Sequence, residues 1–280
     1  MSSAQQSETL DRQFCWQRVS ASNRLFRVSR IFAAPATADR LLPLFALFAS
    51  VEQVCTEYTD EDVARRKLNW WREECLVRGI ASSEHPALRE LQSTGGADQL
   101  ELSDLGHLFA GAAYRLDAPA PVDCSELESL CLRISQPQIE LEKRVCGADG
   151  DSQLLAAGDA ARNGLLQLLR EHRSWWLPLN LLARHGLSRA SLSDPSQAES
   201  VSKLFRELLA AADEWGGKPA APSTTDPQLR HLFVLSSLNS RKLRALQKRQ
   251  PPAYDAELGR LRPSDVFAAW KLARNFNRQI

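Results

Sequence analysis

Apolar residues recur at helical spacing through nearly the whole chain. Leu10, Phe14, Val19, Leu25, Phe26, Val28 and Ile31, with Arg and Ser between them, predict one helix from about Thr9 to Phe32. Ala-Pro-Ala-Thr stops it, and Thr37 is the expected N-cap of a next helix that carries Pro43 near its start, with a local kink as the consequence. The stretch from Phe45 to Cys75 then predicts two consecutive helices. Phe45, Leu47, Phe48, Val51 and Val54 form the apolar part of the first, and Val63, Leu68, Trp71 and Cys75 lie along one stripe of the second. An acidic hinge from Glu57 to Asp62 separates them, Asp60 or Asp62 supplies the cap of the second, and Gly79 ends it. The Trp70-Trp71 pair sends one indole to the core and the other to its side, both for packing.

Further on, His85-Pro86 opens a short helix over Ala87 to Gln92, and another is expected from Ser103 to Leu116. Ser125 and Glu128 have capping-box spacing for a helix running to Cys146 with Pro137 inside it. An amphipathic run from Leu154 to Leu169 follows, then a short helix between Pro178 and Gly186. Three helices close the chain, at about Gln197 to Trp215, Gln228 to Lys248 and Ser264 to Asn277. No alternating pattern of any length and no fixed-period repeat interrupts this, so the fold class is all-α. A single large helical domain over residues 1–280 is expected, with residues 1–8 and the loop 216–227 outside its helices.

Composition narrows the functions open to such a bundle. With 44% hydrophobic residues, a chain of 280 can bury a large core. Its 35 basic and 34 acidic residues leave a net charge of +1, so no global field draws in nucleic acid or anionic lipid, and a nucleic-acid partner is excluded. The six cysteines have neither CxxC nor Cys/His ligand spacing and read as reduced, buried thiols of a cytoplasmic protein. The N-terminus lacks a basic start followed by an apolar run, and no segment is apolar enough to cross a bilayer, which leaves peripheral membrane contact open.

Candidate chemistry is sparse. The five histidines form no HExxH or Cys/His cluster, and neither GxSxG nor GxxxxGK[ST] occurs. What draws notice is a line of polar groups, Glu52, Gln53, Thr56 and Glu57, on the otherwise apolar helix after Phe45. A buried carboxylate there needs a cation, and Arg170 or Arg40 is the natural candidate.

Four blocks in order carry a resemblance. RLLPLFALFASVEQV from Arg40, KLNWWREE from Lys67, His85-Pro86, and LAAGDAARNGLLQLLREHRSWWLPLNLLARHGL from Leu154 to Leu187 together resemble the squalene/phytoene synthase family. The resemblance implies an isoprenoid-synthase-type bundle around a deep apolar cavity. It also implies two aspartate-rich helical motifs that hold Mg²⁺ on the diphosphate of a prenyl substrate, since hard divalent ions want several oxygen ligands. This chain departs from that pattern at both walls. The first motif falls on Glu52, Gln53 and Thr56, with Glu57 as a substitute acid, and the second falls on Gly164, Gln167, Arg170 and Glu171. At Ser135-Gln136-Pro137-Gln138, where the resemblance implies small channel-lining residues, two glutamines and a proline are expected to narrow or bend the channel.

The expectation is therefore a non-catalytic member of that family, acting as an isoprenoid- or lipid-binding or assembly module, with no cofactor. The alternative is an active Mg²⁺-dependent prenyltransferase that uses Glu52, Glu57 and Glu171 for metal and Arg170 or Arg40 for diphosphate. A protein partner and an isoprenoid or lipid ligand both remain open, and a carrier that binds without turnover requires a large sealed cavity.

Overall fold

The structure, a computed structural model, describes residues 3–58, 60–148, 157–170, 175–215, 227–247 and 261–277. Every regular element among them is helical. The first helix, α1 (Ser3–Ser22), starts earlier than its apolar pattern predicts and ends sooner. Asn23 is the reason it ends: its side-chain oxygen accepts the Phe26 amide at 3.3 Å, a local bond that competes with the helical ladder. Helix α2 (Phe26–Ser29) and a 3₁₀ turn (Arg30–Phe32) complete the segment.

Helix α3 (Pro35–Glu57) begins on Pro35 instead of being capped by Thr37, because a proline at the first helical position gives up no bond. Pro43 lies inside it. Asp60 caps α4 (Glu61–Arg72), its carboxylate accepting the amides of Asp62 and Val63, and a π turn over Glu73–Val77 leads to Gly79 at φ +82°. Trp71 is buried and Trp70 half-exposed, as their spacing on α4 demands.

Helices α5 (Pro86–Ser93), α6 (Leu102–Asp117) and α7 (Cys124–Val145) follow. The cap of α7 falls two residues before the expected Ser125. Asp123 accepts the amides of Ser125 and Glu126, while the Glu126 carboxylate reaches back to the Val122 amide at 2.7 Å. The chain continues through α8 (Ala157–Leu168), α9 (Leu179–Arg184), α10 (Ala198–Glu214), α11 (Arg230–Leu246) and α12 (Pro263–Asn277). The expected start of the eighth helix at Leu154, and all but the last residue of the loop Gly216 to Pro227, lie outside the described residues.

Two apolar cores result. The first gathers α1, α3, α4, α5, α6, the C-terminal part of α7, α11 and α12. The second gathers Leu127 to Ile134 of α7 with α8, α9, α10 and the end of α11. Leu132 packs against both. Close backbone approach makes the joints between the middle helices. A Cβ on Gly111 of α6 would lie 2.6 Å from the Arg133 carbonyl oxygen of α7, and one on Gly164 of α8 would lie 2.2 Å from that of Cys131. Arg162, 1% exposed, ties α8 to the end of α10: it donates to the carbonyls of Trp215 (2.8 Å) and Ala212 (3.3 Å) and pairs with Asp159 at 2.7 Å. All six cysteines carry free thiols, and five are buried.

Candidate functional site

The last turns of α3 bring Glu52, Gln53, Thr56 and Glu57 to one face, as positions i, i+1, i+4 and i+5 must be. They line a pocket of about 210 Å³, closed by Arg18 and Ser22 from α1 and by Arg170 just beyond the end of α8. The polar groups are linked across it. Gln53 accepts from the Arg18 guanidinium and donates to Glu57 Oε2 at 2.5 Å, while the Thr56 hydroxyl turns back to the Glu52 carbonyl at 3.2 Å. Burial pulls the pKa of Arg170 down, and the Glu52 carboxylate opposes that shift.

Five of the eight residues expected from the sequence thus meet: Glu52, Gln53, Thr56, Glu57 and Arg170. Gln167, one turn before Arg170, faces an inner cavity and donates to Gln138 Oε1 at 2.7 Å. Arg40 is elsewhere. Twelve residues before Glu52 on the same helix, roughly 18 Å along its axis, it donates through Nε to the Thr94 carbonyl at the end of α5. It is therefore no partner for Glu52. Glu171 lies outside the described residues. Arg18 was not singled out by the sequence: it comes from a helix with no acidic or motif-like neighbour to mark it.

Behind Arg170 the inner cavity shrinks to about 50 Å³. Phe45, Ile139, Leu166, Leu232 and Leu235 supply its apolar wall, but amides fill much of what a channel would need. Gln138 meets Gln167, Asn239 donates to Asn163 Oδ1 at 3.0 Å, and the Ser135 hydroxyl donates to the Ala160 carbonyl at 2.6 Å. Of the three residues expected to narrow or bend the channel, Gln138 lines the inner cavity, beside Ser135. Gln136 bonds Glu140 on the outside, and Pro137 lines a separate groove with Tyr114 and Arg133.

Below this cavity Glu142 and His231 lie 4.0 Å apart, both buried, the imidazole edge-on to Phe26 and Phe45. Burial pushes the Glu142 carboxyl well above its usual range and holds His231 down to about 4. The two act on stability from opposite sides. His231 is neutral in the fold and charges more readily when unfolded, so its contribution is lost as pH falls from about 6.5 toward 4. Glu142 binds its proton more tightly in the fold, so stability is lost as pH rises above the ordinary carboxylate range. Glu142→Gln, which keeps the shape without the ionisable group, is expected to raise the melting temperature more at pH 8 than at pH 6. Thermal melts at both values check it; equal gains would contradict a buried, proton-bearing Glu142.

The donor set is a poor match for a cluster of Mg²⁺ ions. Among the described residues no three His, Cys, Asp or Glu side chains converge. Glu57 is held by Gln53, and Arg18 and Arg170 put positive charge where cations would have to sit. No described helix is long and apolar enough to cross a membrane.

Comparison with known proteins fits this frame. The family model described as Squalene/phytoene synthase matches residues 19–265. No curated protein matches by sequence. Among solved structures, a dehydrosqualene synthase in complex with ligand superposes with a TM-score of 0.64 at 12% identity, covering 98% of this chain and 99% of that one. The squalene synthase HpnC from Alicyclobacillus acidocaldarius superposes with a TM-score of 0.55 at 16% identity, covering 96% and 94%. At such identities the likeness is one of fold: the all-α isoprenoid-synthase architecture.

Proposed function

Because the chain belongs to the squalene/phytoene synthase family, we propose that it keeps the family's helical frame without prenyl transfer, and acts as a binding or assembly module. One observation carries this reading. The space behind the two motif helices is about 50 Å³ and crossed by the Gln138–Gln167 bond, whereas ligand pockets run to roughly 300–1,000 Å³. A prenyl chain does not fit in that space. The same fact weighs against a carrier that buries an isoprenoid in its core, so a ligand or protein partner is sought on the outer surface. The guanidiniums of Arg18 and Arg170 beside Glu52 and Glu57 give secondary support, since they put positive charge where metal ions would sit. We read residues 1–280 as one domain, because α7, α8 and α11 serve both cores. Free thiols on every cysteine suit a reducing cytoplasm.

The test is direct. Purified protein is incubated with Mg²⁺ and farnesyl or geranylgeranyl diphosphate, and diphosphate release is measured. The expected result is no release above the protein-free blank. Release that disappears in both Glu52→Ala and Arg170→Ala would instead establish an active prenyltransferase with an altered site.

A further inference from the structure

A second pocket, of about 310 Å³, lies between α1, α3, α4 and the start of α5, and shares only Arg18 and Gln53 with the pocket around Glu52. Its chemistry differs. The lining holds two cations, Arg18 and Lys67, and no carboxylate. Neither cation forms an ion pair with a described residue; Arg18 donates to the Gln53 amide and lies over the Phe14 ring at 5.3 Å. Three arginines on the surrounding elements are paired with acids instead. Arg12 is paired with Asp39 and Glu90, Arg65 with Asp117, and Arg89 with Asp11. Two cations without an ion pair, facing one concavity whose lining holds no carboxylate, make an anion site.

Rings form the rest of the wall. Trp71 and His85 meet edge to face at 4.5 Å, Trp70 stands 5.0 Å from Trp71 and 6.0 Å from His85, and Tyr58 lines the pocket as well. His85 adds a donor instead of a charge. Its Nδ1 accepts the Ala87 amide at 3.2 Å as the cap of α5, which puts the ring proton on Nε2. Trp70 remains 41% exposed at the rim, a large π surface left uncovered beside Lys67.

We propose that this pocket binds a small phosphorylated ligand bearing a planar ring, of nucleoside monophosphate size, with the phosphate between Arg18 and Lys67 and the ring against Trp70. Its volume sits at the lower end of the ligand-pocket range of roughly 300–1,000 Å³, and stacking on an indole accepts many ring types. The site stands whether or not prenyl transfer has been lost, since none of Glu52, Thr56 or Arg170 lines it.

Calorimetric titration of the full chain with adenosine monophosphate tests the assignment, with adenosine and inorganic phosphate as its two halves. The monophosphate is expected to bind, and each half to bind at least about tenfold more weakly. Lys67→Gln and Trp70→Leu, both at exposed positions, are each expected to weaken binding by about tenfold, Lys67→Arg to retain it, and Glu140→Gln on α7 to leave it unchanged. No heat of binding with the monophosphate, or binding unaltered by both substitutions, would overturn the proposal. Equal binding of inorganic phosphate would overturn the part played by the ring. Circular dichroism melts of each variant separate lost binding from lost folding.

Discussion

Arg162→Met is expected to lower stability by about 3–5 kcal/mol, the cost of removing one partner from a buried ionic network. The side chain is 1% exposed and satisfies several groups at once. It neutralises Asp159, which also accepts the Ser240 hydroxyl at 3.4 Å, and it closes the carbonyl end of α10 through Ala212 and Trp215. Methionine replaces the volume but leaves the part-buried Asp159 carboxylate without its cation and those carbonyls without their donor. For a chain of this size the melting temperature is expected to fall by roughly 5–9 °C. Arg65→Met, which breaks exposed pairs with Glu61, Asp62 and Asp117, is expected to cost less than about 1 kcal/mol. If the two variants melt together, the joint between α8, α10 and α11 does not rest on Arg162.

The second large effect falls on the contact between α7 and α8. A methyl group on Gly164 would stand 2.2 Å from the carbonyl oxygen of Cys131 and 2.8 Å from its Cα. Those atoms are backbone, so neither can rotate away; the helices must separate. Gly164→Ala is therefore expected to destabilise by about 3 kcal/mol, the upper part of the usual range for overpacking. Gly106 in α6 provides the contrast, since a Cβ there meets nothing within 4 Å. Gly106→Ala is expected to stabilise by about 0.4–1 kcal/mol through a less flexible unfolded chain. Urea denaturation of the two variants measures both, and a Gly164→Ala midpoint unchanged from the parent would contradict the close approach.

The elements were largely legible in the sequence because amphipathic spacing survives in most of the helices. Trp71 turns to the core and Trp70 to the side of it, about 100° apart on α4 as a 3.6-residue period requires. The misplacements have local causes. Asn23 bends an uninterrupted apolar pattern through one side-chain bond, and Asp123 wins the cap of α7 from Ser125 by starting the helix two residues earlier. At the candidate site, half-buried Glu52 lines one pocket with Arg170, and its charge acts on the guanidinium across it. Arg40 does not join them because its distance along α3 cannot be shortened. Of the two glutamines expected to narrow the channel, Gln138 crosses the inner cavity while Gln136 faces out. Arg162, Glu142 and His231 left no trace in the sequence. Each looks like one more surface charge until tertiary packing buries it.

The distribution of free thiols across the two cores gives the chain a means of reporting its own opening. Cys15, Cys55, Cys75 and Cys146 belong to the first core and Cys131 to the second, while Cys124 sits half-buried at the head of α7. Burial pushes Cys15 and Cys75 up to about 12 and raises Cys131 as well, so the thiolate that an alkylating reagent needs is scarce while the helices stay closed. The order in which these cysteines become labelled, read peptide by peptide, tells which half of the bundle loosens first, without a single engineered probe.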